Sequence, residues 1–146
     1  MPHPLAAMFD LHPAFPATSE SVGDLALCHV RLHGDARWPW LVLVPRVAGA
    51  TELEHLSGAE RGRLVEEIVQ AGAATRAVGD ALGCPVDKLN VGQLGNMTPQ
   101  LHVHVIGRWT GDPAWPGPVW GHGTAVAFDA DSLERALAAA RASLAL

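Results

Sequence analysis

The chain has 146 residues, 49% hydrophobic and 17% charged, a balance that fits one folded domain with an adequate core and excludes a disordered chain. A net charge of −5 argues against binding to nucleic acid polymers. The two cysteines, Cys28 and Cys84, form neither a CxxC pair nor a metal-like cluster, so reduced thiols in a cytoplasmic protein are expected rather than a zinc ribbon or a disulfide scaffold.

Residues 1–23 hold Pro2, Pro4, Pro13 and Pro16 and read as an irregular arm, with one short turn around Leu5 to Asp10. The start of the chain lacks a basic stretch followed by an apolar run, so no signal peptide is expected. No apolar run approaches the ~20 residues of a membrane span. Leu25 to His33 alternates and predicts a half-buried strand, with Ala26, Cys28, Val30 and Leu32 on one side. Gly34-Asp35-Ala36 is a turn. Trp40 to Val44, closed by Pro45, predicts a strand buried on both faces and antiparallel to the one before.

Ser57 and Glu60 have capping-box spacing and open the main helix. Leu64, Val65, Ile68, Val69, Thr75, Val78 and Leu82 follow as a helical stripe, ended by Gly83 and Pro85. Gly62, Gly72 and Gly79 cost ~1 kcal/mol each in a helix. They imply close packing on the sheet or on a partner. Leu89 to Gly92 is a short strand, and Gly95 to Pro99 a loop. Gly111 to Gly123 holds three prolines, four glycines, Trp115 and Trp120, and must lie on other structure. Thr124 to Phe128 is a possible edge strand. Asp131 and Glu134 are expected to cap a last helix that runs to about Leu144.

Gln100 to Ile106 carries the chemistry. A strand turns successive side chains to opposite faces, so Gln100, His102 and His104 share one face. Leu101, Val103 and Val105 share the other, which should be core. The two imidazoles then sit roughly 7 Å apart at their Cα atoms. A neutral imidazole is a good nucleophile and imidazolium a good hydrogen-bond acid, so two on one face suit phosphoryl transfer. A wet strand face is the bland alternative. An i, i+2 histidine pair also suits a metal, but needs a third ligand. No Glu follows His104 until Glu134, so the cupin spacing is absent; His122, His55, His29 and His33 are the other donors available.

Gln-Leu-His-Val-His-Val-Ile resembles the signature of the histidine triad (HIT) family, in which three histidines alternate with apolar residues. The order of the surrounding segments is similar too. Leu89 to Gly92 and Gly95-Asn96 resemble the family's asparagine strand and Gly-Gln loop. Leu41 to Pro45, followed by Arg46, resembles its second strand. The resemblance spans about residues 20 to 110. It implies an α+β fold: an antiparallel sheet of about five strands, one long helix and a C-terminal helix. It also implies a homodimer with a continuous sheet, and catalysis with no metal or other cofactor.

By the same resemblance, His102 is the nucleophile that attacks a nucleoside α-phosphate to give a nucleotidyl-imidazole. His104 contacts the phosphate and leaving group, and Gln100 is an orienting amide. Asn90, Asn96, Thr98 and Asp35 fall near positions that touch phosphate or ribose. The expected activity is hydrolysis or nucleotidyl transfer on a dinucleoside polyphosphate or a nucleoside phosphoramidate. A nucleotide-binding protein with little turnover is the alternative. Three departures stand out. Gln100 replaces the first triad histidine and cannot titrate near neutrality. Trp40 replaces an upstream histidine, and Met97 replaces a loop hydroxyl. Arg108 is expected to pair with a carboxylate or lie at the surface. Trp115 and Trp120 are expected to be packing or dimer anchors, His122 a solvent histidine and Cys28 core.

Overall fold

The alternating segments pair into one antiparallel sheet. A computed structural model describes residues 8–146. Helix α1 (Ala14–Thr18) leads into β1 (Ser19–Asp24), β2 (Cys28–His33) and β3 (Trp40–Pro45). Helix α2 (Gly58–Ala81) follows, then β4 (Lys88–Gly92), β5 (Val103–Arg108) and α3 (Ala130–Leu144). The strand order is β1-β2-β3-β5-β4, so β5 sits between β3 and the edge strand β4. No helix among the described residues is long and apolar enough to cross a membrane.

The two faces of the sheet have different tasks. Cys28, Val30, Leu32, Leu41, Leu43, Val103 and Val105 form a core with Leu64, Ala71, Ala74 and Val78 of α2 and Ala136 and Ala140 of α3. Each large apolar side chain buried there contributes about 1.5–3 kcal/mol. The opposite face packs Trp40, Val42, Val44 and Ile106 with Phe15, Trp38 and Val119, and bears His104 of β5 and His102 just before it. Helix α2 begins as expected: Glu60 N–H donates to the Ser57 hydroxyl, and the Glu60 carboxylate accepts from Ser57 N–H at 2.8 Å. Buried Glu67 accepts from the amides of Leu27 and Cys28 at 2.9 and 2.7 Å, fastening α2 to the turn between β1 and β2. Burial, and then the Glu67 charge, push the Cys28 thiol far up, which makes it an inert core residue.

Several expectations are corrected. The arm contains α1 and β1. Four prolines and a mostly polar Ser-Glu-Ser-Val-Gly-Asp run hide an edge strand whose inward apolar anchor is Val22. The turn expected from Leu5 begins outside the described residues. Residues 25–27 form the turn into β2, closed by Leu25 N–H to Cys28 O. The histidine strand starts at Val103, because Leu101 N–H bonds to Ala50 O and β3 pairs no further than Leu43 with Val103. Residues 124–128 are not a strand: they share one backbone bond with the turn, Ala36 N–H to Val126 O, while Val126 N–H donates to Asp35. Asp129, two residues before Asp131, caps α3 by accepting from Ser132 N–H at 2.7 Å.

Of the glycines inside α2, Gly72 and Gly79 are close-packed, while Gly62 faces open space. The tightest approach on the sheet is Gly107, where a Cβ would lie 2.6 Å from both Pro39 Cγ and Val86 Cγ2. Gly107→Ala is therefore expected to cost ~1–3 kcal/mol. Gly62→Ala should add up to ~1 kcal/mol. Thermal denaturation of the two variants should move in opposite directions; equal midpoints would refute this account of the packing.

Candidate active site

Strand β5 and the residues just before it deliver His102 and His104 to the face away from α2. Their ring centroids are 4.9 Å apart, with planes at 76°. His102 is 6% exposed. Its Nδ1 lies 2.7 Å from the backbone carbonyl oxygen of Gln100. A carbonyl only accepts, so Nδ1 carries a proton, and in the neutral ring Nε2 is the nitrogen with the lone pair. His104 is set the other way. Trp40 Nε1, a donor only, donates to His104 Nδ1 at 3.0 Å. The neutral ring then holds its proton on Nε2. The two imidazoles thus present one free acceptor and one N–H donor side by side.

Burial, with the neighbouring His102 and His33, lowers the His104 pKa to about 3. Burial also lowers His33, against the opposing pull of Asp35. Unfolded histidine titrates near 6.5. As pH falls, the unfolded chain takes up these protons first, so the stabilisation is complete above pH 6.5 and is lost progressively toward about pH 3 for His104. The slope is at most ~1.4 kcal/mol per pH unit per group. Thermal midpoints should therefore drop between pH 6.5 and about 4.5, above the window in which carboxylates titrate. His104→Asn should flatten that descent. An unchanged slope in the variant would show that His104 titrates normally.

The histidines line a cavity of about 510 Å³. Phe15 forms one wall, the Gly95–Thr98 loop a second, and Trp120 to Gly123 a third. The Trp120 ring lies over strand β4, where a Cβ on Gly92 would meet its Cη2 at 2.7 Å. His33 packs on Trp40 with centroids 4.1 Å apart. Asp35 is 2% exposed and forms a two-pronged ion pair with Arg37. Burial alone would raise its carboxyl, but the Arg37 and Val126 hydrogen bonds hold it below the usual range. Arg37 also donates to His122 O at 2.7 Å, tying the tryptophan loop to the β2–β3 turn.

The cavity therefore brings together His102, His104, Asp35, Asn96 and Thr98. It does not include Asn90, whose amide oxygen accepts from Arg108 at 2.8 Å, nor the Gln100 side chain. The Gln100 amide hydrogen-bonds to neither imidazole. Its Oε1 accepts from His12 N–H and its Nε2 donates to Asp10 O, both at 2.8 Å, so only its backbone carbonyl orients His102. His122 is exposed, as a solvent histidine should be, and it also lines the rim of the cavity. Arg108 is buried against Asp112, and Trp115 lies beside its guanidinium, outside the cavity. Phe15, Arg37 and the Trp40 donor were missed in the sequence, and His33 was named there only as a spare metal donor. For His33 a signal existed: it shares a strand face with Arg31, opposite the apolar face of β2. Among the described residues, no cluster of three His, Cys, Asp or Glu side chains is placed to hold a metal.

Known proteins share the fold. The HIT domain model matches residues 15–111. The chain is similar to histidine triad protein blr8122 from Bradyrhizobium japonicum, with 39% identity, 94% of this chain and 98% of that chain covered, and a TM-score of 0.85. A histidine triad protein from Sinorhizobium meliloti shows 38% identity, coverage of 95% and 99%, and a TM-score of 0.85. One from Marinobacter aquaeolei shows 40% identity, coverage of 95% and 98%, and a TM-score of 0.83. No curated protein matches the chain. A domain match over most of the chain, together with these near-complete structural likenesses, makes the protein a member of the histidine triad (HIT) family.

Proposed function

We propose that the protein is a cytoplasmic nucleotide hydrolase or nucleotidyl transferase acting at a nucleoside α-phosphate. The observation that carries this reading is the opposed tautomers: a buried His102 with a free Nε2 lone pair, beside a neutral His104 with an Nε2 proton. His102 Nε2 forms the bond to phosphorus. The leaving oxygen or nitrogen takes the electron pair of the broken bond and picks up a proton from solvent. Water then attacks the phosphorus and gives a proton back to solvent as the phosphorus–nitrogen bond breaks, which releases the nucleoside monophosphate and returns the lone pair to His102. His104 Nε2–H donates to a phosphoryl oxygen throughout, and its neutrality keeps that proton in place at physiological pH. Asn96 and Thr98 contact phosphate or ribose from the loop. Asp35 acts through Arg37, which it holds at the cavity wall.

The substrates that fit are dinucleoside polyphosphates and nucleoside phosphoramidates. Intact-protein mass spectrometry tests this after incubation with adenosine 5′-phosphoramidate and a diadenosine polyphosphate. A nucleotide-sized gain that is absent from His102→Ala is expected. Nucleotide binding without adduct or product would support the alternative, a binding protein with little turnover. That alternative draws on the pairing of Arg37, the lining arginine, with Asp35 rather than with an open position. A homodimer through β4 is proposed as well. The edge strand carries exposed Val91, and α2, packed beside it at Gly72, exposes Val65 and Val69. Sedimentation at a twofold chain mass is the expected result.

A further inference from the structure

Gln100 occupies the first position of the signature, yet its side chain reaches back to a segment about ninety residues earlier. One amide makes two bonds there, accepting from His12 N–H and donating to Asp10 O. This is how a neighbouring strand would hold a peptide, with one donor and one acceptor on a planar group. His12 passes the constraint on, since its Nδ1 accepts from Ala14 N–H at 3.0 Å, at the start of α1. Helix α1 then places Phe15, 6% exposed, with its ring centroid 5.0 Å from that of His102 and its plane at 75°. The far end of α1 is fixed too. Ser19 Oγ donates to Phe15 O and accepts from Arg31 Nε at 2.7 Å. The segment is thus tied at one end by Gln100 and at the other by β2, and between the ties it presents Phe15 to His102.

We propose that Gln100 is a positioning residue whose amide clasps residues 10–12, seats the Phe15 wall beside His102, and so limits the size of the group that can approach or leave that imidazole. This rests on the reading of His102 as the nucleophile. The clasp needs a donor and an acceptor on the same side chain. Alanine offers neither. Ionised glutamate offers two acceptors and sets one against Asp10 O. Protonated glutamate has the shape of glutamine, with one donor and one acceptor, and restores the pairing.

The test labels His102 with diethyl pyrocarbonate, a small electrophile that acylates neutral imidazole, and quantifies the product by peptide mass spectrometry. Exposed His55 is the internal reference, and every rate is divided by the wild-type rate at the same pH. Two hydrogen bonds of ordinary strength shift an opening equilibrium by roughly tenfold or more. Gln100→Ala should therefore accelerate labelling of His102 about tenfold relative to His55. Gln100→Glu should do so at pH 7, with the ratio falling toward one as the carboxyl protonates. Phe15→Ala should accelerate labelling similarly, and Gln100→Ala added to it should change little further. A ratio of one for Gln100→Ala, or a pH-independent ratio for Gln100→Glu, would overturn the clasp; the second arm decides even if the alanine variant folds poorly.

The size limit is read separately. The kcat/KM preference for adenosine phosphoramidates of small over bulky amines should fall several-fold in Gln100→Ala, through the bulky substrates. An active variant with unchanged preference would overturn it. If wild type turns over no nucleotide, the proposed function fails, and the size limit with it. The labelling ratios still decide the clasp.

Discussion

His102→Ala is expected to lower nucleotide hydrolysis by about four orders of magnitude, with no adduct detectable by mass. The argument is geometric. The Gln100 carbonyl fixes the proton on Nδ1, so the lone pair of a neutral imidazole faces the cavity without rotation or proton transfer. Alanine leaves only direct attack by water. The fold should survive, since the side chain gives up one hydrogen bond and the contact with Phe15, a loss of ~1–2 kcal/mol. His104→Ala should cost less, about 10²–10³-fold, as the removal of one donor to a developing charge does. Steady-state kinetics beside circular dichroism separates chemistry from folding. A folded His102→Ala variant within tenfold of wild type would remove His102 from the nucleophile's role.

The largest effect on stability is expected from Asp112→Ala, at ~3–5 kcal/mol. Arg108 and Asp112 form a buried ion pair, with side chains 1% and 0% exposed. Asp112 accepts from Arg108 Nε and Nη2 at 2.6 and 2.9 Å, and from the amides of Trp109 and Ala114. Burial works to raise its carboxyl, and these bonds outweigh burial and hold it down. Removing the carboxylate strands a guanidinium between Trp38 and Trp115. The tryptophan loop should loosen, carrying Trp120 and His122 from the cavity wall. Urea denaturation should show the loss, and Arg108→Met/Asp112→Leu should recover much of it, because the double variant buries no unpaired charge. Equal instability of the single and double variants would mean that shape, not charge, sets the cost.

The parts of this molecule that could be read from its sequence are those governed by short-range rules. The shared face of His102 and His104 followed from a period of two, and Leu101, Val103 and Val105 lie in the core as that period requires, but the Gln100 side chain, expected on the same face, turns to residues 10–12 instead. Helix α2 was legible from Ser57 and Glu60, three residues apart. Strand β1 was not, because an edge strand buries little, and Val22 alone makes no pattern. The remaining site features depend on distant partners. The bonds from Gln100 to Asp10 and His12, and from Arg37 to His122, span roughly 85 to 90 positions, beyond any local rule. Trp40 looked like the loss of a histidine. In three dimensions its indole N–H takes up the work of orienting His104.

That indole gives the protein an optical readout of its own chemistry. Trp40 and Trp120 flank His104, with ring centroids 5.6 and 5.5 Å from it. Protonated imidazole quenches indole fluorescence far more strongly than the neutral ring. Emission from these two residues should dim as acid protonates His104 and the His33 ring packed on Trp40, both of which titrate below the usual histidine range, while a nucleobase stacked in the cavity would darken it at neutral pH. Occupancy of the site is thus expected to be visible without a label, in the native chain and in real time.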